Sequence, residues 1–343
     1  MQFTIQHFET FEKEKWNILV EKMSGQNHLY TWQNLNYQSA FRNIKNLSFC
    51  VKENNKVVAL VALAINLSKK KKVFGFGNNL VPKPIFEVQV SSSLRRKIYK
   101  YIFENLKIIA KRENASLINF VSHPICFLNN KASLDSKNQF ELVSQSLNYI
   151  VHNTLIHELS TYNKEQMLNM LSKYHRKNIK KIKTKSLKFL CINHKNKKND
   201  IIKHFNNLKK YHFISAGKKT RPDKTWEIMK TQIYNNEADL FLLSHKGKPI
   251  SYLYCGRYKN FTWGWSQVNL REYEKEFMPR HLLEWETLLY YKNNKIDFYE
   301  MGERYFPQKN FKPTLKEISI SEFKEKYGAN YYPKSEFKIK IDI

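Results

Sequence analysis

Cysteine, glycine and proline are scarce in this sequence, and each shortage excludes a class of protein. The four cysteines, Cys50, Cys126, Cys191 and Cys255, form no Cys-x-x-Cys pair, and each lies in or beside an apolar run. We interpret them as buried free thiols of a reducing compartment, and we predict no metal site. With 9 Gly and 9 Pro in 343 residues, a long flexible linker of the Gly-rich or Pro-rich type is excluded.

Long hydrophobic runs are also missing. The longest, Val57 to Ile65, is far too short to cross a bilayer, which takes about 20 residues. The N-terminus has no basic region followed by an apolar stretch, so we predict no signal peptide. We therefore expect a cytoplasmic protein that can work at the inner face of the membrane.

Acidic residues are few relative to basic ones. Lys and Arg number 59 against 30 Asp and Glu, which gives a formal net charge of +29. An anionic partner, such as tRNA, a nucleotide-linked substrate or an anionic membrane, would explain the excess. An AT-rich genome would also explain it, because Lys, Asn and Ile are abundant everywhere. A true binding surface should gather the charge on one face.

The second half of the chain contains the clearest pattern of secondary structure. Three apolar runs separated by turn residues predict an antiparallel meander: Asp239–Leu243, Ile250–Cys255 and Phe261–Trp265. Apolar residues at three- and four-residue spacing then predict a helix that begins at Pro279. A closing strand is predicted at Ile296–Gly302. It should lie parallel to its neighbour, since a crossover helix connects them.

The same order of elements occurs in the first half. Its predicted elements are strands at Phe49–Lys52, Val57–Ile65 and Val73–Phe76, a helix at Leu94–Arg112 and a strand at Leu117–Val121. A repeat of this length predicts two similar domains. We place them at residues 1–158 and 159–343, joined near Leu159. The expected fold class is α/β (α+β), with a mixed, mostly antiparallel sheet flanked by helices in each domain.

A basic helix is predicted at residues 173–185. No acidic residue occurs between Ser172 and Lys198. Four basic side chains share its exposed side: Arg176, Lys177, Lys180 and Lys181. A solvated helix face is the simpler interpretation, whereas the lack of acidic neighbours favours an anionic partner.

The order of elements is that of the N-acetyltransferase (GNAT) fold, and two such domains in tandem resemble the FemAB-like family of aminoacyl- and acyltransferases. Three motifs carry the resemblance: the basic helix Tyr174–Lys181, the segment Pro279–Trp285 leading to Asp297–Gly302, and Phe323-Lys324-Glu325-Lys326-Tyr327-Gly328. The last is similar to the Phe-Lys-x-x-aromatic-Gly of the family. The resemblance implies direct transfer of an aminoacyl or acyl group to an amine of a cell-envelope precursor, of the peptidoglycan or glycan type.

The segment before the crossover helix bears on the donor. Acetyl-CoA enzymes of this fold have Arg/Gln-x-x-Gly-x-Gly/Ala there, whereas this chain has Glu274 to His281 without a glycine. Missing glycines hinder close approach of the backbone to a pyrophosphate. The resemblance therefore implies aminoacyl-tRNA as donor, with acyl-CoA as the other candidate, and no bound cofactor.

Candidate site residues follow from the same resemblance. It places Lys324 beside the transfer centre, where the lysine could neutralise donor phosphate or developing negative charge. Glu300 and Glu303, at the end of the last core strand, are candidate bases or ordinary surface carboxylates. The candidate substrate-binding residues are Phe323, Arg280, His281, Arg176, Lys177, Lys180 and Lys181. For His281 and for each lysine, packing or a solvated surface is the simpler interpretation.

Two other functions stay open. An acetyl-CoA-dependent N-acetyltransferase that modifies an amino sugar for surface polysaccharide would use the same fold. A basic module that binds RNA or a membrane would need no catalytic site. A nucleophilic Cys or Ser mechanism has no support, since the sequence contains no Gly-x-Ser-x-Gly.

Overall fold

The computed structural model describes residues 2–41, 43–68, 72–77, 80–128, 140–183, 186–309 and 311–341. Its contacts divide the chain into two compact units. Unit 1 consists of Met1–His152 and Pro333–Ile343, and unit 2 of Asn153–Tyr332.

The strands follow one another in short, turn-separated segments. In chain order they are β1 (Phe3–His7), β2 (Met23–Ser24), β3 (Ile44–Asn46), β4 (Phe49–Glu53), β5 (Lys56–Val61), β6 (Ala64–Asn66), β7 (Lys72–Phe74), β8 (Val81–Pro82), β9 (Ile85–Glu87), β10 (Ala115–Ser122), β11 (Ser146–Glu158), β12 (Leu187–Ile192), β13 (Ala238–His245), β14 (Lys248–Tyr258), β15 (Phe261–Asn269), β16 (Phe298–Arg304) and β17 (Asn330–Lys340).

The helices range from one turn to six. In chain order they are α1 (Lys13–Glu21), α2 (Trp32–Ser39), α3 (Ser92–Glu113), α4 (Ile125–Leu128), α5 (Phe140–Gln145), α6 (Lys164–Met170), α7 (Lys173–Lys183), α8 (Lys198–Ala216), α9 (Asp223–Tyr234), α10 (Arg271–Phe277), α11 (Pro279–Asn293) and α12 (Leu315–Glu325). Two 3-10 turns, Phe8–Thr10 and His28–Tyr30, complete the described elements.

The sheet of unit 2 has the strand order β12-β13-β14-β15-β16-β11. Strands β13 to β15 pair antiparallel, as the three apolar runs predicted. β12, which the sequence analysis did not predict, pairs antiparallel with β13. β16 lies parallel to β15 because α11 carries the chain back across the sheet, which confirms the predicted crossover. β11 pairs antiparallel with the other edge of β16.

The parallel strands β15 and β16 pair over a short distance only. Their register covers the pairs Phe261–Phe298, Thr262–Tyr299 and Trp263–Glu300. Just beyond, each strand has one residue more than its outer neighbour, Trp265 in β15 and Met301 in β16. Such bulges bend a strand and increase its twist. The two strands therefore diverge after Trp263, and a gap opens between them.

Unit 1 has a parallel pair in the corresponding position. α3 follows β9 and leads directly into β10, and β10 pairs first with β7 and then, further along, with β8. Val81 and Pro82 of β8 thus continue the ladder along β10 where β7 ends. The position that is open in unit 2 is occupied by a strand in unit 1. Around this pair the strands follow the order β17-β10-β7-β6-β3, and a separate sheet has the order β1-β4-β5-β9-β2.

The single strand predicted at Val57–Ile65 is wrong. The structure divides this run into β5, which pairs with β4 and β9, and β6, which pairs with β3 and β7. Between them the Leu63 amide donates to Ser48 Oγ at 3.0 Å, and the Leu63 carbonyl accepts from the Leu47 amide at 2.8 Å. The chain passes from one sheet to another here, and an uninterrupted apolar run contains no mark of the change.

The division of the chain differs from the predicted ranges 1–158 and 159–343. β11 crosses from unit 1 into unit 2 after His152, and β17 crosses back after Tyr332. Residues Ser335 to Lys340 of β17 pair antiparallel with β10, so the C-terminal residues 333–343 complete unit 1. The pairing of β17 with β10 joins residues more than 200 positions apart, which a local repeat pattern cannot reveal.

Gly328 supplies a test of close packing in unit 2. A Cβ added to Gly328 would lie 2.4 Å from the Met170 carbonyl oxygen, and its φ is +77°. We expect Gly328→Ala to lower the free energy of unfolding by about 2–4 kcal/mol, from overpacking and backbone strain together. Gly217→Ala is the matched control, because φ is +66° there and an added Cβ would have no described atom within 4 Å apart from those of its own helix and chain neighbours. It should cost about 1 kcal/mol. Equal losses in urea unfolding would contradict the packing argument.

Candidate active site

The gap between β15 and β16 contains a cavity of about 190 Å3, which lies within unit 2. Strand residues form one side, and α11 and α12 form the other. The lining residues are Leu253, Gly264, Trp265, Ser266, Gln267, Arg280, Glu284, Met301, Ile320, Phe323 and Lys324. Three of these are charged, namely Arg280, Glu284 and Lys324, so the cavity combines two cations with one carboxylate.

α12 directs Lys324 into this cavity. Thr314 begins the helix with a capping box, in which its side chain and Glu317 satisfy each other's backbone amides. Phe323 packs under the Arg280 guanidinium, whose carbon lies 4.3 Å from the ring centroid. The neighbouring Lys324 reaches over Gly302, where an added Cβ would lie 2.6 Å from Nζ. The glycine at the bulge of β16 therefore makes room for the ammonium.

Lys326, Tyr327 and Gly328 of the Phe-Lys-x-x-Tyr-Gly motif hold the C-terminal end of α12 in position. The Tyr327 hydroxyl, fully buried, donates to the His281 carbonyl in the first turn of α11 at 3.2 Å. Gly328 packs against the Met170 backbone at the end of α6. The Ser172 amide donates to the Lys326 carbonyl at 2.9 Å. The motif thus has a structural part, which fixes α12, and a chemical part, which is Lys324.

Burial lowers the pKa of Lys324, because a desolvated ammonium loses hydration. Glu303, Glu284 and Glu300 act in the opposite direction, while Arg280 adds to the lowering. The side chain is only partly exposed, and its charge is therefore poorly screened by water. An ammonium of this kind can stabilise negative charge that develops in the cavity.

Glu284 is a lining residue to which the sequence analysis assigned no role. It lies one turn after Arg280 on α11, it is buried, and the Tyr299 hydroxyl donates to its Oε1 at 2.6 Å. Burial raises the pKa of the Glu284 carboxyl, although the Tyr299 hydrogen bond and the charges of Arg280 and Lys324 lower it. A carboxyl with a raised pKa inside a cavity is suited to proton transfer.

A signal for Glu284 was present in the sequence. It is an acidic residue inside the apolar stretch Leu282–Leu289, where most neighbours are core residues. A carboxylate on a buried helix face needs partners and is rarely there for packing alone. Its partner Tyr299 lies on the closing strand β16, so only the tertiary structure brings the two together.

Comparison with known proteins adds to this geometry. No family model and no curated protein matches the sequence. Solved structures match over almost the whole chain. The crystal structure of FemX has a TM-score of 0.64 at 12% identity, covering 98% of this chain and 97% of that chain. The chain has the tandem GNAT fold.

Two further solved structures match over nearly the whole chain. L-PGS from Bacillus licheniformis has a TM-score of 0.60 at 12% identity, covering 97% of this chain and 93% of that chain. A tandem GNAT protein from the clavulanic acid biosynthesis pathway, solved without AcCoA, has a TM-score of 0.59 at 9% identity, covering 100% of this chain and 99% of that chain. The predicted fold class is confirmed, and identities this low show the fold alone.

Within this tandem GNAT fold, the two predicted carboxylates lie away from the cavity lining. Glu300 is buried and accepts a hydrogen bond from Thr154 Oγ1 at 2.5 Å, and Glu303 stands opposite Thr154 in the register of β11 and β16. Both act on the pKa of Lys324 through their charge. Glu284 thus lines the cavity, whereas Glu300 and Glu303 do not. A role as base for either of the latter stays a prediction.

Arg280 and His281, the two substrate-binding candidates at the start of α11, differ in their relation to the cavity. Arg280 lines the cavity, and its Nε donates to Gln267 Oε1 of β15 at 3.0 Å. His281 does not line it. The His281 ring packs 5.1 Å from Phe323 and 4.7 Å from His175, between centroids. His281 therefore supports the position of Phe323, and any contact of His281 with substrate stays a prediction.

The basic helix is α7, described as Lys173–Lys183, and residues 184 and 185 of the predicted range lie outside the described residues. Ile179 and Ile182 pack in the core of unit 2, while Lys177, Lys180 and Lys181 are exposed. Arg176 is half-buried, and its Nη1 donates to the Asn169 carbonyl at 2.8 Å. Three of the four predicted residues thus share an exposed face, and the fourth also has a structural contact.

A short helix that the sequence analysis did not predict precedes α11. α10 ends at Phe277, and the next residue, Met278, has a φ of +38° and turns the chain directly into Pro279. The segment has three glutamates, Glu272, Glu274 and Glu276, and Pro279 supplies no amide hydrogen. The start of α11 is therefore a poor site for a pyrophosphate, which needs free amides and a positive potential.

The described residues contain no group of three or more His, Cys, Asp or Glu that could hold a metal ion. Within the same ranges, no helix combines the length and the apolar character needed to cross a membrane.

Three buried histidines of unit 2 predict a pH-dependent stability. Burial lowers the pKa of His157, His175 and His281 to about 4, from an ordinary value of 6.5. Between pH 4 and 6.5 these histidines bind more protons in the unfolded chain than in the folded one. Their contribution to the free energy of unfolding is therefore fully present above pH 6.5 and is lost as the pH falls towards 4. Each histidine contributes at most about 1.4 kcal/mol per pH unit in that window.

His157→Phe should flatten this dependence, since burial alone accounts for the shift in the pKa of His157. Urea unfolding of wild type and variant at a series of pH values measures the difference in slope. Parallel curves for the two proteins would show that His157 does not titrate on unfolding as expected.

Proposed function

We propose that this chain is an acyltransferase that moves an aminoacyl or acyl group onto an amine of a cell-envelope precursor. The observation that carries the proposal is the cavity between β15 and β16, where Lys324, Arg280 and Glu284 converge. An extended acyl chain can lie along β15 beyond its last pair with β16. The fold shared with FemX and L-PGS agrees with a transferase that acts on envelope material.

The reaction requires a nitrogen–carbon bond to form and the ester or thioester bond of the donor to break. The acceptor amine attacks the carbonyl carbon, and the Lys324 ammonium stabilises the negative charge on the carbonyl oxygen. Glu284 takes the proton that the nitrogen loses. It then delivers this proton to the departing oxygen or sulfur, so charge and protons balance. Arg280, fixed by Gln267 and Phe323, holds an anionic part of a substrate.

Aminoacyl-tRNA is the donor that the geometry supports best. The acidic segment of α10 and the proline at the start of α11 disfavour a pyrophosphate at that helix. The exposed lysines of α7 fit the phosphates of a longer polyanion. Acyl-CoA is the second candidate, because the similar tandem GNAT protein of the clavulanic acid pathway is named together with AcCoA, the compound without which it was solved.

The test compares binding of charged tRNA and coenzyme A. We expect tRNA to bind with a strong salt dependence, and Lys177→Glu, Lys180→Glu and Lys181→Glu together to weaken it. Each lost phosphate contact should lower the slope of log K against log salt by about 0.7–0.9, so by about 2–3 for three contacts. Strong stabilisation by coenzyme A and none by tRNA would favour the acetyl-CoA-dependent N-acetyltransferase.

Charge reversal at Lys97, Lys100 and Lys107 is the matched control, since these residues are exposed on α3 of unit 1. It changes the net charge by the same amount on a different helix. If both triple variants lose tRNA binding equally, binding follows net charge and not the α7 face. If no acyl transfer to any amine is found while salt-sensitive RNA binding persists, the non-catalytic module is the better description.

A further inference from the structure

The last turn of α8 presents two large apolar side chains to solvent. Phe213 is 58% exposed and its neighbour Ile214 is 56% exposed. The side chain of Tyr211 points the other way, is buried, and donates from its hydroxyl to the Pro249 carbonyl at 3.0 Å. Gly217, with a φ of +66°, then ends the helix. The apolar pair therefore stands at the outer end of α8, where the chain turns towards α9.

Polar contacts hold this turn in position. His212 Nε2 lies 2.8 Å from Ser266 Oγ, and Arg221 Nη2 donates to the same oxygen at 3.3 Å. The Arg221 guanidinium also lies 4.6 Å from the ring centroid of Trp226. Arg271 Nη2 donates to the Ser215 carbonyl at 3.3 Å. Phe213 and Ile214 cannot turn inward without loss of these contacts, so their exposure is built into the fold.

The surroundings of the pair are strongly basic. Between residues 203 and 226 the one acidic residue is Asp223, and the basic residues are Lys203, Lys209, Lys210, Lys218, Lys219, Arg221 and Lys224. Asp223 is shared by Lys209 at 2.7 Å and Lys219 at 2.6 Å. Lys210, Lys218 and Lys224 are exposed. The turn thus combines apolar side chains at its end with cations around them.

We propose that this turn, residues 209–224, is a docking surface for a bilayer with anionic lipids. Phe213 and Ile214 enter the boundary between headgroups and acyl chains, and the exposed lysines bind the lipid phosphates. Lysines alone would suit RNA equally, but two fixed apolar side chains gain nothing from a polyanion in water. The combination is that of a peripheral membrane contact.

The docking turn and the cavity are separate features of unit 2 that share one strand residue. Ser266, which holds His212 and Arg221, is also a lining residue of the cavity, whereas the next residue, Gln267, directs its side chain to Arg280 of α11. Binding itself requires neither donor nor acceptor, so its test is independent of the proposed reaction.

Co-sedimentation with phosphatidylcholine vesicles, with and without phosphatidylglycerol, tests the proposal. We expect the protein to bind the anionic vesicles only. Phe213→Ser with Ile214→Ser should weaken binding at least about tenfold. Lys210→Gln with Lys218→Gln should weaken it about fivefold per lysine, and less at high salt. Val88→Ser with Ile108→Ser is the matched control, since these unit 1 residues are 67% and 66% exposed, and it should bind like wild type.

Three results would overturn the proposal. In the first, the Phe213/Ile214 variant binds anionic vesicles as tightly as wild type. In the second, the Val88/Ile108 control loses binding to the same extent, which would mean general stickiness. In the third, no vesicle binds and sedimentation detects a dimer that disappears in the Phe213/Ile214 variant, so that a second copy of the chain covers the pair.

Discussion

Lys324→Ala should reduce the rate of acyl transfer about 10²–10³-fold while the fold stays intact. The ammonium is held over Gly302 by the packing of Phe323, and its position is fixed before a substrate arrives. Removal of one such preorganised group typically costs ~3–4 kcal/mol in the transition state. The measurement is single-turnover transfer at saturating donor and acceptor, so that binding losses do not enter.

Two variants make this result specific. Lys324→Arg should restore little of the lost transfer rate. The Lys324 ammonium lies so close to Gly302 that an added Cβ would be 2.6 Å from Nζ, and a planar guanidinium does not fit the place of this compact ammonium. Lys316→Ala removes an exposed lysine from the same helix and should transfer at the wild-type rate. A wild-type rate for Lys324→Ala would end the catalytic assignment and leave Lys324 with a structural role.

The sequence predicted the part of this site that depends on local order. In unit 2 the alternation of apolar runs and turn residues was enough to place β13, β14, β15, α11 and β16, and hence the parallel pair that opens the gap. The placement of Lys324 near that gap came from the resemblance of the Phe323-Lys324 motif to the family pattern. The prediction of the strands and the helix rests on short-range patterns and on element order.

What the sequence did not predict depends on contacts between distant residues. The run Val57–Ile65 belongs to two sheets, and β11 and β17 each contribute residues to both units. Glu300 and Glu303 end β16, Glu300 accepts a hydrogen bond from Thr154 and neither lines the cavity, so a role as base for either stays a prediction. Glu284 lines the cavity, although most of its neighbours on α11 are core residues.

Glu284→Gln should reduce kcat/KM about 10²–10⁴-fold near neutral pH, if Glu284 accepts the proton from the amine. Glutamine has the same shape, and its Oε1 can still accept the Tyr299 hydrogen bond, so a loss of activity would not arise from repacking. The loss should shrink at high pH, where solvent deprotonates the amine. The acidic limb of the pH–rate profile, which reports the Glu284 carboxyl in the free enzyme, should disappear.

Tyr299→Phe provides a readout that a purely structural role for Glu284 would not change. The Tyr299 hydroxyl lowers the pKa of Glu284 by a hydrogen bond to the carboxylate, against the larger effect of burial. Removal of this donor should raise the pKa of Glu284 further, since the charged form loses its partner. The acidic limb should therefore move to higher pH. An unmoved limb in Tyr299→Phe, or a Glu284→Gln enzyme as active as wild type, would assign the proton transfer to another group.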